Sequence, residues 1–308
     1  MIVTVTPNPS IDRTIRLERL VTGGLNRAHS ATSEAAGKGV NVSYALASEG
    51  VPTVAVVPLA TLSAVQYLGL LADAVPVSAV PIAGETRVNA SIIESDGRVT
   101  KVNEPGPPLS AADAEAMLTA AASASRSGWI VGCGSLPPGA PRDFYGRLAR
   151  LTTPDRRVAV DSSGDALAAA VAAGIALVKP NRHELEDLAR RPLATLGDAI
   201  DAARALIAQG CDAALVSLGA DGALYLDAGT TAHAEARIAD AANPVGAGDA
   251  LLAGFLAAGA RAEALPVAVA WAVAAVRSPG SRMRPVTEAD RAAVVLHERI
   301  DRSRRLLA

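Results

Sequence analysis

The sequence predicts an α/β protein: a mostly parallel, doubly wound sheet covered by helices on both faces, with a small β-sheet lid. Three observations carry that expectation. Short β-branched runs alternate with Ala- and Leu-rich stretches of helical length, the pattern of parallel strands joined by crossover helices. Half of the 308 residues are hydrophobic and 19% are charged, so the chain can bury a core and is not intrinsically disordered. Aromatic residues supply only 3%, which leaves a core of many small side chains in close helix-on-sheet contact.

Strands are expected over residues 2–6, 53–57, 128–131, 157–161, 176–178 and 213–217, each followed by a helical stretch, as with 39–49 after the first and 164–173 after the fourth. The exception is 85–102. There an alternating run reads as a strand, Asp96 and Gly97 as a hairpin turn, and 98–102 as the return. Residues 11–30 are also polar and irregular, with alternation over 12–17. These two segments, about 11–30 and 85–103, are expected to form the lid over the carboxyl edge of the strands, where open α/β sheets bind ligands. An edge decoration is the plainer alternative for the hairpin. The Pro/Gly-rich 103–108 is the expected hinge back into the core, and 1–308 is expected to form one domain.

Composition removes several classes of function. With 29 Lys and Arg against 31 Asp and Glu, and a formal charge of −2, the chain has no general basic field for a nucleic acid or an anionic membrane. Cys133 and Cys211 form no C-x-x-C pair, so neither a disulfide framework nor a structural zinc is expected. Residues 1–12 carry no Lys or Arg ahead of an apolar run, unlike a secretory signal. The longest uncharged stretch, 50–72, is interrupted by Pro52 and Pro58 and does not read as a spanning helix. A cytoplasmic protein is expected.

The most informative run is Asn-Pro-Val-Gly-Ala-Gly-Asp over 243–249, followed by apolar residues 250–260. Small residues at 246–248 leave backbone N–H groups unobstructed at a helix start, whose partial positive charge suits an anion. Alone, the run could be a Gly-rich turn with an Asp favouring its helix N-terminus. Beside anion-binding amides, however, Asp249 can take a proton from a substrate hydroxyl while the amides absorb charge moving onto a phosphoryl group. A second cluster, Ala-Gly-Lys-Gly-Val-Asn over 36–41, precedes another helical stretch. Gly39 stands where a Walker A loop needs Ser or Thr, and Thr32 where it needs its first glycine, which excludes the P-loop class. What remains is a tight turn that lets a ligand approach the backbone, with Lys38 and Asn41 as donors to hydroxyls or a phosphate.

Taken in chain order, these runs resemble the PfkB-type, ribokinase-like carbohydrate kinase family, and within it the phosphohexose branch of 1-phosphofructokinases and tagatose-6-phosphate kinases. The matching segments are 4–12 (TVTPNPSID), 36–41 (AGKGVN), 86–89 (TRVN), 134–139 (GSLPPG), 179–184 (KPNRHE), 217–222 (SLGADG) and 245–249 (VGAGD). The resemblance implies a ribokinase-like fold and a kinase using ATP and Mg2+. Asp249 would be the catalytic base, with Gly246, Ala247 and Gly248 as the anion hole. Asp12, Gly39 and Asn41 would hold sugar hydroxyls, and Asn89 and Ser135 belong to the substrate-binding segments. Lys179, Asn181, Ser217, Gly219 and Gly222 would border the nucleotide, although those glycines suit a plain hairpin equally. Asn181 and Glu184 match the N-x-x-E element, in which Glu184 serves Mg2+ through water, a sensible role beside a cation that keeps much of its hydration.

A free sugar needs only hydroxyl partners, whereas a phosphosugar needs cations facing its dianion, ideally Arg. Arg87 in the hairpin and Arg27 in the other lid segment stand at the branch's phosphate-binding positions, with Lys38 close by. An isolated surface Arg is more commonly just solvated. The expected acceptor is fructose 1-phosphate at its 6-hydroxyl; tagatose 6-phosphate and fructose 6-phosphate are the alternatives. Three features depart from the family pattern. Asn243-Pro244-Val245 replaces a Thr-containing approach to the anion hole, and Pro stiffens it. Cys133 replaces a Ser. Residues 58–63 (PLATLS) replace a glycine-rich, Asp-containing loop that helps enclose the sugar. A sugar-phosphate-binding protein that has lost catalysis is the alternative of another class, and retention of Asp249 argues against it. The exposed edge of hairpin 85–102 suits pairing with a second subunit's lid, which makes a homodimer the expected assembly.

Overall fold

The computed structural model describes residues 1–72, 74–238, 243–278, 280 and 282–307. The chain starts on β1 (Ile2–Val5), leaves the main sheet for β2 (Ser10–Leu17) and β3 (Ser30–Ala36), and returns through α1 (Lys38–Ser48) to β4 (Thr53–Ala60), α2 (Ala64–Leu71) and β5 (Val77–Ile82). A second excursion, β6 (Arg87–Glu94) and β7 (Val99–Asn103), leads back through α3 (Ala111–Ala124) to β8 (Gly128–Cys133). Regular alternation follows: α4 (Phe144–Ala149), β9 (Arg156–Asp161), α5 (Gly164–Ala172), β10 (Leu177–Val178), α6 (Arg182–Ala189), α7 (Leu196–Gln209) and β11 (Ala213–Ser217). The remainder comprises β12 (Ala223–Asp227), β13 (Thr231–Ala236), α8 (Ala247–Ala257), α9 (Leu265–Val276), α10 (Glu288–Ala292) and β14 (Val294–His297).

The large sheet has the order β14-β13-β12-β11-β10-β9-β8-β1-β4-β5. From β11 to β5 every neighbour is parallel; from β11 to β14 the pairing is antiparallel. Side chains that alternate along a strand build the two helical layers. In β1, Val3 and Val5 join a core with Met117 of α3, Phe144 of α4 and Leu167 of α5. Ile2 joins the opposite core, with Leu252 and Phe255 of α8 and Trp271 of α9. Small residues permit the close layers: a Cβ on Gly254 would meet the Trp271 ring at 2.8 Å. A third core, including Ile11, Ala35, Val40 and Tyr67, seats the small sheet on α1 and α2.

That small sheet has the order β3-β2-β6-β7, with β2 parallel to β6 and the outer pairs antiparallel. The β2–β6 register sets Ser10 opposite Arg87 and Asp12 opposite Asn89. A period of two therefore aims all four side chains at one face.

Several expectations need correction. The run 213–217 is not followed by a helix: Gly222, at φ 83°, turns the chain straight back into β12. Strand β5 lies outside the expected set because it contains Pro81, which the sheet accommodates at its edge. The first small-sheet segment runs on to Ala36, since β3 is built of small and polar residues that give no β-branched signal. Half of the segment that replaces the family's sugar-enclosing loop, residues 58–60, is the end of β4. Beyond it, Ser63 Oγ accepts from the Thr86 N–H at 2.7 Å and donates to Thr86 Oγ1 at 2.9 Å, fastening the entry to β6. Among the described residues no helix is long and apolar enough to cross a membrane.

Candidate active site

The carboxyl ends of β9, β10 and β11, the first turn of α8 and one face of the small sheet enclose a cavity of about 380 Å³. Gly246 starts α8 from a left-handed conformation, φ 83°, that a side chain would disfavour. Three residues later Asp249 lies in the first turn, 7% exposed and on the cavity wall. Asn41 of α1 donates to its Oδ2 at 2.8 Å. Burial, and then the nearby charge of Asp161, push the Asp249 carboxyl up to about 7. A carboxyl in that range can hold or release a proton near neutrality.

Asp161 ends the apolar strand β9 and is fully buried between two ammonium groups: Lys38 Nζ lies 2.9 Å from one oxygen and Lys179 Nζ 2.9 Å from the other. Burial pushes this carboxyl upward, but Lys179 and Lys38 outweigh it and hold Asp161 below the usual carboxylate range. Lys38 is in turn pushed above the usual ammonium range, chiefly by Asp161, against the opposing effect of burial. Lys179 also lies against the α8 start, since a Cβ on Gly248 would meet its Nζ at 3.3 Å.

On the small-sheet wall, Asp12 Oδ1 accepts from Ser10 Oγ at 2.7 Å and from Asn89 Nδ2 at 3.1 Å. The Arg87 guanidinium donates to the Asn8 carbonyl at 3.0 Å and the Glu104 carbonyl at 3.2 Å. Four buried polar atoms nearby have no protein partner: Asn8 Oδ1, Asn41 Oδ1, Asn89 Oδ1 and Arg87 Nε. Buried polar groups are normally satisfied, so this half of the cavity suits a ligand rich in hydroxyl or phosphate oxygens.

The opposite wall is formed by Lys179, Asn181 and Ser217. Asn181 and Glu184 form a capping box at the start of α6: the Asn181 side chain accepts from the Glu184 N–H at 2.8 Å, and Glu184 Oε2 accepts from the Asn181 N–H at 2.9 Å. The other Glu184 oxygen lies 3.7 Å from Lys38 Nζ. Among the described residues no group of three or more His, Cys, Asp or Glu is arranged to hold a metal.

The structure thus gathers Asp12, Lys38, Asn41, Arg87, Asn89, Lys179, Asn181, Ser217, Gly246, Gly248 and Asp249 around one cavity. Six expected residues lie outside the lining together with Glu184. Ala247 turns its N–H towards the Pro244 carbonyl at 3.3 Å. Gly39 is required by packing, since a Cβ there would meet Thr6 Oγ1 at 2.4 Å. Gly222 likewise has the Ala234 carbonyl 2.1 Å from an added Cβ, and Gly219 belongs to the same turn. Ser135 is exposed and accepts from Asn8 Nδ2 at 3.4 Å. Arg27 is exposed in the connection between β2 and β3. Conversely, Asp161 and Ser10 line the cavity and were not among the expected residues. The sequence carries only a general signal for Asp161, an acidic residue closing an apolar run, which places it at the carboxyl edge of a parallel strand.

The description "pfkB family carbohydrate kinase" matches residues 5–287. The 1-phosphofructokinase of Haloferax volcanii is 38% identical over 92% of this chain and 93% of its own length. Phosphofructokinase-2 from Escherichia coli in complex with fructose-6-phosphate superposes with a TM-score of 0.83 at 30% identity, over 94% of this chain and 96% of that one. Its tetrameric inhibited form gives a TM-score of 0.86 at 29% identity, over 94% and 98%. With a ribokinase-like architecture, the ordered motifs and these matches in agreement, the chain belongs to the pfkB family of carbohydrate kinases.

Proposed function

We propose that this chain is an ATP-dependent kinase that phosphorylates the 6-hydroxyl of fructose 1-phosphate, giving fructose 1,6-bisphosphate. The observation that carries the reading is Asp249, a buried carboxyl held by Asn41 on the wall of a cavity that also takes in Asp12, Asn89 and Arg87. Once deprotonated, Asp249 accepts the proton of the acceptor hydroxyl. Asn41, bonded to the same carboxylate, orients it. Lys38, Lys179 and the amides of Gly246 and Gly248 face the charge that moves on the transferred phosphoryl group. Asp12, Asn41 and Asn89 hold sugar hydroxyls, and Arg87 meets the phosphate already on the sugar.

The nucleotide occupies the side of Lys179, Asn181 and Ser217, towards the turn that contains Gly219 and Gly222. The residues present fit Mg2+ carried on the phosphates rather than caged by protein, because Glu184 keeps one oxygen outside its helix cap, no ligand cluster occurs among the described residues, and Mg2+ keeps much of its water. Glu184, with one oxygen committed to its helix cap, serves such an ion through water. When bound, Mg2+ supplies charge neutralisation between the phosphates. The small sheet acts as a lid over the sugar, and its β7 edge offers a homodimer contact, although the inhibited form of the E. coli relative named above is tetrameric. A cytoplasmic location suits this chemistry.

A coupled ADP-release assay over fructose 1-phosphate, tagatose 6-phosphate, fructose 6-phosphate and ribose tests the proposal. Preference for fructose 1-phosphate supports it; a tagatose 6-phosphate or fructose 6-phosphate preference keeps the class and changes the acceptor. Binding of a hexose phosphate without turnover would mean a binding protein, and turnover of ribose alone would remove the phosphosugar assignment.

A further inference from the structure

We infer that residues 304–307 form a strap that positions the nucleotide half of the cavity, with Arg304 and Asp221 as its positioning residues; the inference rests on the kinase reading above. Arg304 reaches Asp221 Oδ1 at 3.0 Å and Glu235 Oε2 at 2.5 Å. The Leu307 N–H donates to the other Asp221 oxygen at 2.7 Å. Asp221 is 1% exposed, inside the single turn Gly219–Asp221, and its carbonyl is bonded by His233 Nε2 at 2.8 Å. A carboxylate this deeply buried depends on its partners, and removing one leaves an uncompensated charge. On the far side, Arg182 in the first turn of α6 donates to the carbonyls of Leu307 and Leu193.

The strap is itself anchored to the start of α7. The Leu196 and Gly197 N–H groups donate to the carbonyls of Arg304 and Arg302, both at 2.9 Å, and the Leu306 N–H donates to the Ala194 carbonyl at 2.9 Å. A Cβ on Gly197 would meet the Arg302 carbonyl at 2.8 Å, so the approach depends on glycine there.

Each end it ties adjoins a residue that lines the cavity. Asp221 follows β11, whose Ser217 is a lining residue; Arg182 follows Asn181, another lining residue. Ser217 and Asn181 are joined by a backbone bridge, with the Ser217 N–H donating to the Pro180 carbonyl at 3.1 Å. Residues 304–307 do not line the cavity. Their influence on the reaction therefore passes through the 219–222 turn and α6, on the nucleotide side and away from Asp12, Arg87 and Asn89.

The test compares Arg304→Ala, Arg304→Lys and Asp221→Asn with wild type, each in the full chain. Steady-state kinetics should show the KM for ATP raised about 5- to 30-fold in Arg304→Ala, the KM for fructose 1-phosphate within about twofold, and partial recovery in Arg304→Lys. Hydrogen exchange without ligand should be faster over residues 218–223 in Arg304→Ala and Asp221→Asn. Equal rises in both KM values, no rise in either, or unchanged exchange over 218–223 would overturn the strap. If Arg304→Ala does not fold, Asp221→Asn, which keeps the side chain's shape, carries the same comparison. A wild-type chain inactive on the whole sugar-phosphate panel would sink the kinase reading instead. Calorimetric ATP binding then decides the strap: weaker binding in the variants supports it, and equal or absent binding in all of them overturns it.

Discussion

Two carboxyls share one cavity, one at the end of β9 and one in the first turn of α8, and their proton affinities move in opposite directions. Both are buried, so burial does not separate them. The difference lies in the partners. Asp161 sits between the ammonium groups of Lys38 and Lys179, each at 2.9 Å, which offset the cost of burying its charge. Asp249 has one neutral donor, Asn41, and feels Asp161 as a like charge. One carboxylate is therefore a fixed anchor for two cations. The other is left free to exchange a proton in the range where general bases work.

The largest effect is expected from breaking the second of these. Asp249→Asn should lower kcat by about 10²- to 10⁴-fold with little change in ATP binding, the range for a lost general base; an unchanged kcat would mean that the proton goes elsewhere. The same substitution bears on stability. Because the folded protein holds this proton up to about 7, against 3.8 ordinarily, the carboxyl favours folding below about pH 4 and loses that contribution as pH rises through about 7. Asn never ionises. Without ligand, Asp249→Asn should melt higher than wild type at about pH 8, by an equivalent on the order of 4 kcal/mol, and close to wild type at about pH 4. A pH-independent difference in melting would detach Asp249 from the titration.

Arg87 separates binding from proton transfer. Its loss should weaken phosphosugar affinity by about 1.5–3 kcal/mol, the worth of a hydrogen bond to a charged group, seen as a higher KM for fructose 1-phosphate, while the acid limb of the pH profile stays in place. An unaltered KM would remove Arg87 from the sugar-phosphate site. Asp161→Asn should do the reverse to the profile. Removing the like charge lets the Asp249 carboxyl fall, so the acid limb of kcat/KM, expected to rise through about 7 in wild type if Asp249 is the base, should move to lower pH. A limb that stays where it was would show that Asp161 does not hold Asp249 up.

The asymmetry between the two carboxyls also marks how far the sequence could be read. Asp249 was legible because it follows a Gly-Ala-Gly run at a helix start, a local pattern with a local meaning. The parallel strands were legible for the same reason, as buried β-branched runs with helices between them. Asp161 was not read as a site residue, since its role exists only through Lys38 and Lys179, which come from α1 and from the end of β10. Its own segment, RRVAVD, resembles any buried strand that ends at a turn. Arg87 and Asn89 face the cavity because β6 lies parallel to β2 in one particular register, which is a tertiary fact. Gly39 and Gly222 lie outside the cavity lining and answer to crowding that only the folded chain reveals: the Thr6 side chain at Gly39 and the Ala234 carbonyl at Gly222.

The smallest effect concerns Cys133, which feels both carboxyls. Its thiol is fully buried and pushed well above its ordinary value by burial, then by Asp161 and Asp249. The two negative neighbours oppose a thiolate, and a neutral thiol is a poor nucleophile. Cys133→Ser should therefore leave kcat and the acid limb within about twofold of wild type and cost about 1 kcal/mol of stability or less, provided the hydroxyl finds an acceptor. The Val131 carbonyl lies 3.8 Å from the sulfur, so a hydroxyl on the shorter C–O bond must shift towards it to be satisfied. Alkylation of native protein at about pH 8 sharpens the point: the thiol should resist the reagent until the chain is unfolded. Rapid labelling with loss of activity would mean that the surroundings of Cys133 tolerate a thiolate despite the negative charge of Asp161 and Asp249.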